Sequence, residues 1–357
     1  MENFMKMKTT YKLLFLVITI VLTTNCNKDT EPIPENEPDP DDEIAYVINE
    51  GQWTHDNGSI TQINQTKKTF SSNYFKAVNG FQLGDVVQSM GETDDNYYIV
   101  VNSSAKIEVV KKTSFESILT IEDMGSPRYF LAINDTLAYV TDGKNKLIHQ
   151  INPKSGNKYQ NIQVYAVTDQ MESIDNEVFV LCRPDVFAGL FSNPQVGIFN
   201  VASQSQTDSI LLDLDPLEMV RDKFNKLWVL GSVFGGGSKL YKIDGAGRNI
   251  EMEWLFQDDE PITQLTIDPE GANIYFSVSN NKIFKMDVNE TELPSQAIIV
   301  ESLQTIYGLS VNKEEIIFVC DAKDYVQEGK VYMFDNNGQL SDTLTSGVAP
   351  NGIIFTD

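Results

Sequence analysis

A short apolar motif carrying an aromatic residue recurs along this chain, and it restricts the fold more than any other feature. It reads AYVIN at 45–49, YYIVVN at 97–102, AYVTD at 138–142, VFVLC at 178–182, LWVLG at 227–231, IYFSV at 274–278 and IFVCD at 317–321. Aromatic and β-branched residues in such runs favour strands. The copies stand about 40 to 52 residues apart, the spacing of repeats that each supply one four-stranded sheet. An alternating apolar–polar segment follows each copy, as a half-buried strand requires. These segments are SITQIN from Ser59, KIEVV from Lys106, LIHQIN from Leu147, VGIFNV from Val196, KLYKID from Lys239, KIFKMD from Lys282 and KVYMFD from Lys330.

The third copy shows a whole unit. Tyr129–Ile133, Leu137–Thr141 and Leu147–Ile151 read as consecutive strands, with Asn161–Val164 as a fourth. Asn134-Asp135 and Asp142-Gly143 separate them, residue types that tolerate the positive φ of tight turns. One such meander cannot bury its own faces, whereas a closed ring of them can. The chain is therefore expected to be all-β, a seven-bladed β-propeller over 44–357. Its ends predict how the ring shuts. The last residues, APNGIIFTD at 349–357, read as an inner strand with nothing after it, and the first motif has no inner strand before it. Pairing Ile353–Phe355 with Tyr46–Ile48 completes one blade and removes two open sheet edges.

The residues before 44 read as targeting and tether. Lys6, Lys8 and Lys12 precede the short apolar run Leu13–Leu22, and Cys26 follows it. This order resembles a bacterial lipoprotein signal at 1–25, in which Cys26 is the lipidated residue. Asn27 to Glu31 is similar to the export tag of surface lipoproteins from Bacteroidetes-type bacteria. Residues 26–43 are rich in Pro, Asp and Glu and cannot fold alone, so they read as an extended acidic tether. The expected location is the outer membrane, held by the lipid anchor only and exposed at the cell surface. A formal charge of −24 argues against nucleic acid, which needs clustered Lys and Arg. Cys182 and Cys320 each end an apolar strand and read as buried free thiols; no metal-ligand spacing occurs, and no cofactor is expected.

In a propeller, inner strands line a central channel. Loops leading into them share one face with the loops joining second to third strands. Four of the latter are long here, at Glu50–Gly58, Arg183–Gln195, Ser232–Ser238 and Asp321–Gly329. They carry Trp53, His55, Arg183, Phe187, Phe191, Phe234 and Tyr325. Segments leading into the inner strands add Gln88, Arg128, Tyr129, Gln170, Met171, Glu218, Gln264, Tyr307 and Asn351 around the channel mouth. Polar groups beside flat aromatic walls suit a medium-sized polar ligand. Arg128 is fitted either to a carboxylate, phosphate or amide oxygen, or to a salt bridge between blades. Catalytic signals are weak: His55 and His149 are the only histidines, no GxSxG occurs, and GGGS at 235–238 lacks the lysine of a P-loop. Ligand binding without catalysis is therefore expected. A protein-interaction scaffold and a carbohydrate-active enzyme are the alternatives.

AYVTD resembles the YVTN/YncE-type propeller repeat. YVINEGQW at 46–53, LGDVVQSM at 83–90, YIVVNSSAKIEVV at 98–110 and SPRYFLAINDTLAYVTD at 126–142 resemble Bacteroidetes surface lipoproteins of the DUF5074 type. These are similar to the cobalamin-binding BtuG family. The resemblance implies a lipoprotein that captures a ligand, cobalamin or another corrinoid, and delivers it to a TonB-dependent outer-membrane transporter.

Overall fold

A computed structural model describes residues 39 and 41–356, except 186–188, 190, 191, 234, 235, 258 and 280. Expectations for Cys26, the leader, most of the tether, Phe187, Phe191 and Phe234 lie outside the described residues.

The described residues form seven four-stranded sheets, each an antiparallel meander. Numbered along the chain, blades 2 to 7 begin with the inner strands Val87–Glu92, Pro127–Asn134, Val167–Ile174, Asp215–Arg221, Ile262–Ile267 and Ile306–Val311. Blade 1 takes its inner strand, Pro350–Phe355, from the other end of the chain. Each inner strand touches that of the next blade, and Pro350–Phe355 touches Val87–Glu92, so the sheets close into a ring. The protein is a seven-bladed β-propeller. The closing pair is antiparallel, with Tyr46 opposite Ile354 and Val47 opposite Ile353. Two further bonds finish it: Thr356 N donates to Ile44 O at 2.9 Å, and Ile44 N donates to Thr356 Oγ1 at 3.1 Å.

Why the aromatic motif must recur is visible in the packing. These second strands are buried on both faces. Because successive strand residues point to opposite sides, each motif feeds two cores. Tyr97, Ile99 and Val101 pack with Tyr46 and Ile48 of blade 1, whereas Tyr98 and Val100 pack with Phe130 and Val140 of blade 3. Seven apolar clusters result, one between each pair of neighbouring blades. The seventh joins Phe318 and Cys320 of blade 7 to Ala45, Val47 and Ile353 of blade 1. Cys182 and Cys320 are buried free thiols. Outer strands alternate instead, as in Asn249–Phe256, and face solvent on one side.

The turns correct one expectation. In the turn after Asp142, positive φ falls on Lys146 (φ 56) and not on Asp142 or Gly143; Ala105 (φ 53) occupies the matching place in blade 2. Asp142 serves through its side chain, which accepts from Ser126 N, Lys144 N and Asn145 N. Asp321 does the same for Gln304, Thr305 and Lys323, and Asn134 for Thr136. A short acidic or amide side chain holds the turn by taking backbone N–H groups that the ladder leaves free.

Closure by the last strand generates a test. Ile353→Ala removes a side chain that is 8% exposed from the last cluster and is expected to cost about 2–4 kcal/mol in thermal or urea unfolding. Removing 349–357 is expected to lower the melting temperature further. Moving that segment ahead of Ile44 in a circular permutant is expected to recover most of the loss. A permutant as unstable as the truncation would contradict the closure.

Candidate functional site

Each inner strand breaks register with its neighbour just after it starts. The residues left without a ladder partner are Gln88 in blade 2, Arg128 and Tyr129 in blade 3, and Asp169 and Gln170 in blade 4. They continue with Leu217 in blade 5, Thr263 in blade 6, Tyr307 in blade 7 and Asn351 in the closing strand. A bulge leaves its extra residue out of the pleat and re-aims its side chain. Seven bulges at one level thus turn a ring of side chains toward the channel mouth, and six of the sequence-derived candidates are among them.

Five consecutive blades, from 7 through 1 to 4, connect these side chains into one polar chain. At one end the rings of Tyr325 and Tyr307 meet edge to face, with centroids 5.0 Å apart. Tyr307 Oη donates to Glu50 Oε2 at 2.9 Å, and Asn351 Nδ2 donates to Glu50 Oε1 at 3.2 Å. Asn351 Nδ2 also reaches Gln88 O at 3.0 Å. Arg128 Nη1 donates to Gln88 Oε1 at 2.7 Å, and its Nη2 to both oxygens of Asp169 at 3.0 and 3.2 Å. Arg183 closes the other end, with Nη2 3.4 Å from Asp169 Oδ2. Arg128 is therefore the inter-blade ion pair, and it still presents a quarter-exposed side chain to the mouth. Three polar atoms of this chain are buried without a hydrogen-bond partner: Arg128 Nε, Arg183 Nε and Asn351 Oδ1. Such orphans are uncommon in native proteins and ask for an explanation.

The electrostatics follow from burial and pairing. Burial lifts the Glu50 carboxyl above its usual range, while its bonds from Tyr307 and Asn351 pull the other way. Burial opposes the charge on Arg128, yet Asp169 beside it holds the guanidinium above its ordinary value. Burial and the neighbouring Glu50 raise the Tyr307 hydroxyl. A second set of bonds ties neighbouring inner strands together. Gln170 Oε1 accepts from Met219 N at 2.6 Å. Glu218 accepts from Leu265 N. Burial pushes the Glu218 carboxyl up to about 8, and that of Glu172, which lies 3.6 Å from Arg221, up to about 7.

The structure thus gathers Gln88, Arg128, Arg183, Tyr307, Tyr325 and Asn351 into the chain and sets Tyr129 and Gln170 between blades. Gln264 folds back on the carbonyl of Thr263. Trp53 is 74% exposed, with its carbonyl 2.9 Å from His55 Nδ1. Phe187, Phe191 and Phe234 lie outside the described residues. Sequence reasoning missed Glu50 and Asp169, the two carboxylates that organise the cluster. Glu50 opens the noted loop Glu50–Gly58, and Asp169 directly precedes Gln170. Among the described residues no group of His, Cys, Asp and Glu could hold a metal, and no helix is long and apolar enough to cross a membrane.

Known proteins add the following. One family profile, described as "Domain of unknown function (DUF5074)", matches residues 44–347. No curated protein matches the sequence significantly. Among solved structures, a quinonprotein alcohol dehydrogenase-like protein from Bacteroides thetaiotaomicron has a TM-score of 0.68 at 15% identity, over 88% of this chain and 78% of that one. A protein from Lactobacillus plantarum has 0.64 at 12%, over 88% and 100%. AztD from Citrobacter koseri, in its apo form, has 0.59 at 10%, over 88% and 98%. At these identities the likeness shows the fold alone.

Two outcomes follow from the geometry. Asp169→Asn leaves two guanidiniums without their carboxylate and is expected to cost about 1–3 kcal/mol, less than for a fully buried pair because both arginines keep some solvent. Glu218 has a raised folded-state pKa, so the native state holds its proton while the unfolded chain loses it. Stability from this group is full below the ordinary glutamate range, falls as pH rises towards about 8, and is lost above it. Glu218→Gln keeps the bond from Leu265 N and removes the titration. Its melting temperature relative to wild type is expected to rise between acidic pH and pH above about 8. A difference that does not change with pH would contradict this.

Proposed function

The chain belongs to the DUF5074 family, and from that membership we propose that it is a binding protein whose channel mouth captures a ligand rich in amide or carboxylate groups. The orphaned atoms carry the reading. Arg128 Nε and Arg183 Nε are buried donors, and Asn351 Oδ1 is a buried acceptor. A carboxamide offers one acceptor and two donors, so it complements both kinds of group at once. A corrinoid such as cobalamin bears several carboxamides around a flat, largely apolar ring, and is the ligand we favour. Tyr307 and Tyr325 give the mouth an aromatic wall, and Leu217, 40% exposed, adds an apolar side chain in blade 5.

The reading is of a carrier and not of an enzyme. Glu50 and Asp169 are engaged by neighbouring donors, which suits them to shape a pocket more than to move protons. Lipidation at Cys26 would anchor the protein on the outer membrane, and the acidic tether would give the ring reach. Delivery to a TonB-dependent transporter completes the proposal. Exposed Trp53 (74%) and Val326 (59%), in loops that join second to third strands, support a protein contact on the same face. That observation also favours a second reading, a scaffold that binds a protein partner and no small ligand.

Isothermal titration with cyanocobalamin separates the two. Saturable binding, weakened about tenfold or more in Arg128→Ala, is the expected result. No heat and no spectral change, together with a partner retained on the immobilised protein, would favour the scaffold.

A further inference from the structure

Blade 6 is unlike its neighbours at its outer edge. Its fourth strand, Ile299–Val300, has two residues and meets only Lys282 and Ile283 of the third strand Lys282–Asp287. In blade 5 the outer strand Asn249–Phe256 is paired along its full length with Ser238–Asp244. Beyond Ile283 the third strand of blade 6 therefore lacks an outer neighbour, so Phe284 is paired to Phe276 on its inner side and to no strand on its outer side. The connection through Leu293 and Pro294 covers part of this space. It is held down by Trp254, whose Nε1 donates to Thr291 O at 3.1 Å.

A cavity of about 420 Å³ remains between the two blades. The partly buried Phe256 and Phe284 form its wall, with the buried Phe276 (1% exposed) packed behind them. Phe256 meets Phe276 edge to face at 5.6 Å, and Phe276 stacks on Phe284 at 5.3 Å with planes 12° apart. Leu255, Val278, Leu293 and Pro294 complete the apolar lining. Polar groups gather on one side, at Gln257, Asp259 and Glu260. Glu260 is ion-paired to Lys282 at 2.7 Å, so Asp259 leaves that side with a negative balance. The protein as a whole carries −24, which adds a long-range attraction for cations.

We propose that this cavity is a second binding site, separate from the channel mouth, for a small planar aromatic cation. Its volume falls within the range of small-molecule sites, about 300–1,000 Å³, where apolar walls enclose a few placed polar groups. A flat ring matches the phenylalanine wall. A cationic edge gains from the partly exposed rings of Phe256 and Phe284 as well as from Asp259, and an anion would gain from neither. The proposal does not rest on the corrinoid reading, because the cavity shares no residue with the polar chain.

The test uses proflavine, a planar aromatic cation, read by fluorescence anisotropy against the intact protein at low salt. Saturable one-to-one binding is expected. Leu255→Arg and Asp259→Lys change exposed positions and put positive charge at the cavity; each is expected to weaken binding about tenfold. Pro294→Trp, checked for an unchanged melting curve, fills the space and is expected to weaken binding at least as much. Arg128→Ala is expected to leave proflavine binding unchanged, which keeps this result independent of the channel mouth. The anionic dye anilinonaphthalene sulfonate is expected to bind at least about tenfold more weakly. Absence of saturation, equal affinity for the two dyes, or insensitivity to both charge variants would each overturn the proposal.

Discussion

The pairing of Pro350–Phe355 with Ile44–Asn49 is the constraint on which the rest depends. Each second strand is buried on both faces, so every blade needs a neighbour on each side. Six interfaces can form along a linear stack of seven, and the seventh forms only if the two chain ends share a sheet. Without that pairing, Val47, Phe318 and Cys320 would face water and two sheet edges would stay open. Closure also brings Asn351 beside Glu50 and Gln88, so the same pairing completes the polar chain at the mouth.

The mouth shows how a repeat becomes a site. A regular inner strand would point alternate residues into the cores on either side. The register break frees one or two residues per blade from that duty, and their identity is then open to chemistry. In blades 1 to 4 and 7 those positions carry amides, two tyrosine hydroxyls and charges, and most of them bond to a neighbouring blade. In blades 5 and 6 they are Leu217 and Thr263, and Thr263 bonds within its own blade, to Ser277 Oγ at 2.8 Å. The ring is thus polar over part of its circumference and quieter over the rest. A close approach fixes the geometry at the seam. A Cβ on Gly308 would sit 2.6 Å from Asn351 C, so only glycine lets the two inner strands meet there.

Much of the architecture was legible because the signal repeats. AYVTD and its relatives fix the second strands, and the orphan strand APNGIIFTD predicts the closure with its partners correctly placed. The turn chemistry was half legible: Asp142 was recognised as a turn residue, but its part is to accept N–H groups, while positive φ falls on Lys146. Bulges were not legible, since nothing in local composition marks where a ladder slips by one residue. Glu50 and Asp169 were missed for a related reason. A buried carboxylate looks in sequence like a solvated one, and only the approach of Arg128, Tyr307 and Asn351 from other blades tells them apart.

The position of Ile44–Asn49 within its sheet has a mechanical consequence. That strand is not an edge, because Pro350–Phe355 lies on one flank and Ser59–Asn64 on the other. A pull applied to the N-terminal end of the chain enters the ring at Ile44 and must slide this strand between two ladders at once. Load is then shared by parallel sets of hydrogen bonds, which resist together, where an edge strand would unzip one bond at a time. Of the two ends of the ring-forming segment, the N-terminal one is thereby the one held from both flanks.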